Sequence, residues 1–322
     1  MNLAFDFRIH RMKRLTACLA VTFGCSADKR DAPDASIAGH ADAPIDAVPL
    51  RCDLTGPFGT PVPVPGINTT AEENGAWLSV DELRIYFTLG PVPLNPDMRD
   101  LYVASRTTTS EAFGTAMQVP GVNSALRDQQ PSLSPDELTL FLSRGSTTDI
   151  YVASRPDTQS PFSTPVAVSG INDTQSYDDS PWISADGLVL YLASTRSGNF
   201  NYEPYMATRA SLSAPFGPPT TAMLTALSSP ANDSQPIVRG DGLELFFASN
   251  RDQIMYPEGY TNDIYRSTRS SVTEPFGAPT RVTELAAPTN EGPTWISQDG
   301  CVLVFASSRT GAGSYDLWMT SR

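Results

Sequence analysis

Apolar residues along this chain fall in short runs broken by turn residues, with no sustained helical spacing. The stretch Pro181-Trp182-Ile183-Ser184-Ala185-Asp186-Gly187-Leu188-Val189-Leu190-Tyr191-Leu192-Ala193-Ser194 carries the pattern most clearly. It returns in altered form so that five copies centre on Asp81, Asp136, Asp186, Asp241 and Asp299, 50 to 58 residues apart. That period suits one propeller blade. Each copy holds four runs of strand chemistry. In the third copy they are Trp182 to Ser184, Leu188 to Ala193, Pro204 to Thr208 and about Pro218 to Met223. Asp-Gly supplies the tight turn between the first two runs in three copies. Asp81-Glu82 and Asp136-Glu137 stand there in the other two, which predicts a different turn type.

A four-stranded unit cannot bury its own apolar faces, whereas units stacked around an axis can. The expected architecture is therefore all-β, a five-bladed β-propeller of four-stranded antiparallel blades. The fifth copy stops at Arg322, after its third run. Pro57-Phe58-Gly59 repeats the opening of the fourth strand seen at Pro215-Phe216-Gly217 and Pro275-Phe276-Gly277. The N-terminal strand is thus expected to complete the last blade, closing the ring and removing an open sheet edge.

Read as Pro-x-x-Ser-x-Asp-Gly, an apolar strand, Ser-x-Arg and Asp-Ile-Tyr-x-x-x-Arg, the repeat resembles the WD40-like repeat of the TolB-type propeller family over roughly residues 54–322. This chain has five copies where TolB has six. The resemblance implies a binding or scaffold role in the bacterial cell envelope.

The residues before the repeats read differently. Arg11-Met12-Lys13-Arg14 precedes an apolar run from Leu15 to Gly24 and then Cys25. The run is too short to span a bilayer and reads as an export signal over residues 1–25, with Met1 or Met12 as the start. Gly24-Cys25-Ser26 resembles a bacterial lipoprotein cleavage site, with Cys25 as the lipidated residue; simple secretion is the alternative. Residues 26–52, rich in Asp, Ala and Pro, are expected to be a disordered tether, followed by the propeller at 53–322. The expected setting is the cell envelope, as a periplasmic or outer-membrane-anchored lipoprotein, or secretion; the chain is expected to be a monomer that meets the membrane only through a lipid anchor.

Composition narrows the chemistry. There are 35 Asp+Glu against 22 Lys+Arg, a net charge of −13, which disfavours nucleic acid as a partner. Histidine occurs only at His10 and His40, outside the repeats, so the repeats hold no Ser-His-Asp, Cys-His or His-ligated metal site. Cys52 and Cys301 both fall in the closing blade, and export would favour their pairing as a disulfide.

Eight residues before each turn aspartate stands an acid: Glu73, Asp128, Asp178, Asp233 and Glu291. Such a carboxylate ring needs cations. Arg144, Arg196, Arg251 and Arg309, at the ends of the second strands, are one source. A bound Ca²⁺ or cationic ligand on the axis is the other, and no further cofactor is implied. The first copy has no arginine at Thr88-Leu89-Gly90, which leaves Glu73 the unpaired member. On the opposite face the turn aspartates are expected to pair with Arg106, Arg155, Arg209, Arg269 and Arg322. Longer loops in the third and fourth copies carry Phe200, Tyr202, Tyr256 and Tyr260 among asparagines, a candidate ligand-binding rim for a protein, peptide or glycan partner. The rival reading is a glycan-cleaving propeller enzyme that uses funnel carboxylates.

Overall fold

The computed structural model describes residues 51–90, 98–198, 200–252, 255–256, 259–309 and 315–322. The export signal, Cys25 and residues 26–50 of the tether lie outside the described residues. So do the side chains of Tyr256 and Tyr260.

The chain forms a five-bladed propeller. Blade 1 holds strands Glu72–Leu78, Arg84–Gly90, Asp100–Ser105 and Met117–Gln118. Blade 2 holds Asp128–Leu133, Thr139–Arg144, Asp149–Ser154 and Val166–Ala167. Blade 3 holds Asp178–Ile183, Val189–Ser194 and Glu203–Thr208. Blade 4 holds Asp233–Val238, Glu244–Ser249, Asp263–Thr268 and Thr280–Arg281. Blade 5 holds Glu291–Ile296, Val302–Ser307, Asp316–Ser321 and the N-terminal Val62–Pro63. All pairings are antiparallel, and Val62 and Pro63 lie opposite Met319 and Trp318. The ring therefore closes through both ends of the chain. Asn68 reinforces the closure by bonding both the N–H and the C=O of Leu317 at 2.9 Å.

Blade 3 departs from the expected pattern. The run from Pro218 to Met223 does not form a strand; only Thr220 pairs, with Met206. Pro218 and Pro219 have no N–H to donate, so the ladder cannot extend through them.

The turns also correct the reading of the sequence. All five are closed by the same backbone bond, from Glu82, Glu137, Gly187, Gly242 and Gly300 N–H to the carbonyl three residues earlier, at 2.8 Å. Glu82 and Glu137 sit at φ 58° and 60°, beside Gly187, Gly242 and Gly300 at 71°, 75° and 79°. The turn type does not shift. Holding a non-glycine residue there costs about 1–2 kcal/mol. The glutamates return contacts that glycine cannot make. Glu137 of blade 2 accepts Tyr86 Oη at 2.9 Å and Arg84 Nε at 2.8 Å from blade 1. Glu82 accepts Arg51 Nη2 at 2.7 Å.

The expected pairing of turn aspartates with the third-strand arginines does not form. Asp81, Asp136 and Asp186 instead accept a serine hydroxyl two residues back and the N–H two residues ahead. Each arginine donates Nε to the backbone carbonyl just after the aspartate, at 2.7–2.9 Å. Its guanidinium lies over the phenylalanine that opens the fourth strand, at 4.3–4.8 Å for Phe113, Phe162, Phe216, Phe276 and Phe58. The repeated Arg and Phe are thus one device that fastens the outer strand to the turn.

Leu140, Leu190, Leu245 and Leu303 of the second strands are fully buried, as are Ile85 and Phe87. Trp77, Trp182 and Trp295 are buried at the axial end opposite the ring acids, among Leu133, Ile183, Val238 and Ile296. Trp182 Nε1 donates across blades to Val238 O at 3.0 Å. Cys52 and Cys301 are joined by a disulfide with Cα atoms 5.6 Å apart.

Candidate functional site: the axial funnel

The innermost strands all open at the ring acids, and these five side chains are withdrawn from solvent, at 0–1% exposure. Asp128 accepts Arg144 Nε at 2.6 Å, Asp178 accepts Arg196 Nη2 at 2.5 Å and Asp233 accepts Arg251 Nη2 at 2.7 Å. Glu291 lies 3.5 Å from Arg309 Nη2 and accepts Ser307 Oγ and Thr289 Oγ1. Each of these arginines also donates to a carbonyl of the loop entering its blade: Val122, Ile171, Leu227 or Leu285. Each stacks on a third-strand aromatic, Tyr151, Tyr205, Tyr265 or Trp318, at 5.0–5.2 Å. These four ring acids are therefore anchors that fix the inner strands of blades 2 to 5 to their own blades and entry loops.

Glu73 differs. Its Oε1 accepts Thr69 Oγ1 at 2.5 Å, its Oε2 has no hydrogen-bond partner, and no arginine reaches it among the described residues. Burial pushes its carboxyl above the ordinary glutamate range. Burial likewise raises Glu291, to about 7. Among the described residues no group of three His, Cys, Asp or Glu gathers as a metal site.

What faces the axis is the pair of residues following each ring acid. A β-bulge in every inner strand interrupts the alternation of side chains. In blades 1 to 4 the second residue of the pair takes a left-handed backbone: Gly75 at φ 51°, and Gln130, Ser180 and Gln235 at φ 54°. Blades 3 and 4 thereby bring two consecutive side chains to the funnel mouth, Asp179 with Ser180 and Ser234 with Gln235, while blades 1 and 2 bring one each, Asn74 and Gln130. The result is a polar cavity of about 190 Å³. Its wall carries the amides of Asn74, Gln130, Asn232, Gln235, Asn262 and Asn290, with hydroxyls from Ser180, Ser234, Tyr202 and Tyr315. Two glycines make room for the glutamines. A Cβ at Gly292 would meet Gln235 Oε1 at 2.0 Å, and one at Gly75 would meet Gln130 Oε1 at 2.7 Å.

Among the described residues two carboxylates border the cavity, Asp179 and Glu291. Asp179 is half-buried and accepts Ser180 N–H at 2.7 Å and Gln129 Nε2 at 3.4 Å. Burial raises its pKa, and the neighbouring Asp178 adds to the rise. Tyr202 is raised to about 12, by burial and by the nearby Asp179 charge. Within the anticipated rim, Tyr202 lines the funnel, while Phe200 is 90% exposed and is not part of its wall.

Asn262 stands among the loop asparagines read from the sequence, but the other amides were missed because each position carries an amide in only some copies: Gln130 and Gln235 lie two residues after the ring acid, Asn232 and Asn290 one before it, and Asn74 one after it. The bulge could have been anticipated from Pro131, Pro181 and Pro236, each directly after the left-handed residue. A second repeated device, Gly-x-Asn at Gly66-Ile67-Asn68, Gly121-Val122-Asn123 and Gly170-Ile171-Asn172, also went unread. Asn123 and Asn172 bond both the N–H and the C=O of Leu101 and Ile150 in the third strands.

No protein-family description matches the chain, and no curated protein matches it. Solved structures do. An α-L-arabinofuranosidase from Podospora anserina, solved with cellotriose, is similar at TM-score 0.52 and 12% identity, covering 81% of this chain and 94% of that one. A family 117 glycoside hydrolase from the marine bacterium Zobellia galactanivorans is similar at TM-score 0.53 and 9% identity, covering 82% and 90%. A protein described as TolB from Agrobacterium tumefaciens is similar at TM-score 0.46 and 17% identity, covering 74% and 71%. At these identities the likeness is one of fold, a β-propeller, and it assigns this chain no activity.

Proposed function

We propose that the chain is a binding module of the bacterial cell envelope that holds a small polar group of a glycan or peptide partner in its axial funnel. Export through residues 1–25 and anchoring at Cys25 belong to this proposal, as does the extended tether that would carry the propeller clear of a membrane. The observation that carries the reading is the lining of the funnel. Four of the ring acids are engaged with arginines that anchor strands, and what remains at the mouth is a set of side-chain amides and hydroxyls, with the Asp179 carboxylate, around a concave space. Such groups recognise neutral donors and acceptors and fix their orientation.

Titration calorimetry of the full chain against a panel of oligosaccharides and cell-wall peptides tests the reading. Gln235→Ala is expected to weaken the positive ligand by about tenfold or less, the loss of one or two hydrogen bonds. Retention of full affinity in Gln130→Ala, Gln235→Ala and Tyr202→Phe alike would place the ligand elsewhere.

A glycan-cleaving enzyme is the second reading, because Asp179 and Glu291 border the same cavity and are unequal in their surroundings, as an acid and base pair would be. Glu291, however, is 1% exposed and engaged by Thr289, Ser307 and Arg309, which leaves it poorly placed to reach a glycosidic oxygen. Release of reducing sugar from a polysaccharide panel, lost in both Asp179→Asn and Glu291→Gln, would establish the enzyme instead.

A further inference from the structure

We infer that the ligand group seated in the funnel is a primary ammonium, with Asp179 as its counterion; the inference rests on the funnel being the binding site. Charge accounting around the cavity leads there. Of the two acids bordering it, Glu291 lies beside the Arg309 guanidinium. Asp178, next to Asp179 in the chain, is tied to Arg196. Asp179 is met by neutral donors: the Ser180 N–H at 2.7 Å and the Gln129 amide at 3.4 Å. Among the described residues no lysine, arginine or histidine lines the cavity, whose remaining wall is amides, hydroxyls and short apolar groups. Among the described residues the mouth is therefore a polar concavity with one carboxylate lacking a cation, surrounded by carbonyl oxygens of Asn and Gln able to accept further N–H bonds. A cation entering there gains a charge-assisted bond to a partly desolvated carboxylate.

The same inventory selects the kind of cation. A divalent metal would seek several carboxylates, and the described residues offer one without an arginine partner. A guanidinium prefers both oxygens of one carboxylate, and Asp179 Oδ1 already accepts the Ser180 N–H at 2.7 Å, which leaves Oδ2, with the Gln129 amide at 3.4 Å, for a single donor atom. An ammonium has three donors on one atom and can take one carboxylate oxygen together with two amide oxygens. The volume of about 190 Å³ is about six waters' worth of space, enough for an aminated sugar ring or the end of a lysine side chain.

The test is calorimetric, on the full chain with its disulfide intact. The probes are glucosamine against glucose, and Nα-acetyl-lysine amide against Nα-acetyl-norleucine amide. Either amine is expected to bind about tenfold or more tighter than its neutral counterpart. The stronger of the two identifies a sugar or a peptide source. Asp179→Asn is expected to bring amine and neutral probe to parity. Should that variant fail to fold, the wild-type comparison stands alone, supplemented by weakening of the amine, and not of the neutral probe, as pH falls. Equal binding of amine and neutral probes overturns the inference and leaves the funnel as a neutral-ligand site. Absence of binding by every probe, together with no effect of Gln235→Ala on any ligand of the wider panel, overturns both readings.

Discussion

The ring acids offer an internal experiment, because five copies of one position sit in nearly the same setting and only one lacks its arginine. Asp128 is fully buried and bonds Arg144 Nε at 2.6 Å, while the Arg144 side chain is 9% exposed. In Asp128→Asn the guanidinium remains buried without its counter-charge. Two unit charges about 4 Å apart at an effective dielectric near 20 interact by about 4 kcal/mol. This agrees with the roughly 3–5 kcal/mol lost when one partner of a buried pair is removed. Glu73→Gln removes a charge that has no arginine, already carries an unpartnered oxygen and is disfavoured by burial. Its expected cost at neutral pH is within about 0.5 kcal/mol of zero, or a small gain. Urea unfolding, followed by the fluorescence of the buried Trp77, Trp182 and Trp295, measures both. Asp128→Asn/Arg144→Met should recover most of the loss, since a buried pair exchanged for apolar volume is often neutral. Equal losses in Asp128→Asn and Glu73→Gln would refute the anchoring role, as would a double variant no better than the single.

Three further outcomes are expected. Glu291, raised to about 7 against an ordinary 4.5, keeps its proton in the folded chain while the unfolded chain releases it. Stability should therefore fall by up to about 3 kcal/mol as pH rises from 4.5 to 7, and Glu291→Gln should flatten that slope; an unchanged slope in the variant would count against it. The Cys52–Cys301 disulfide joins residues 249 apart, so replacing both with serine should cost up to about 5 kcal/mol on the loop-entropy account, read as a lower denaturant midpoint that reductant reproduces in the wild type. Glu244, fully buried, holds Arg239 and Arg266 of its own blade and Arg322 of blade 5. Glu244→Gln should lose about 3–5 kcal/mol, and a melting temperature close to wild type would mean that the arginines find other partners.

The sequence by itself determined the wheel. Five copies of one strand pattern, none able to bury its faces alone, leave little choice but a closed ring, and the shared Pro-Phe-Gly opening assigned the N-terminal strand to the last blade. It also carried the pairing of Arg144, Arg196, Arg251 and Arg309 with the ring acids and the exception at Glu73, because these contacts lie within one blade at a repeated offset. Only the tertiary structure decided what the axis presents. In blades 1 to 4 the bulge after the ring acid rests on a left-handed residue that is glycine, glutamine or serine, and the proline that follows it in blades 2 to 4 hints at the bulge without saying where the side chains point. Asn74, Gln130, Asp179, Gln235 and Asn262 become neighbours only when the blades converge. A repeat reports what every copy needs in order to fold. A binding surface arises where the copies differ, and those differences acquire meaning only once the ring places them face to face.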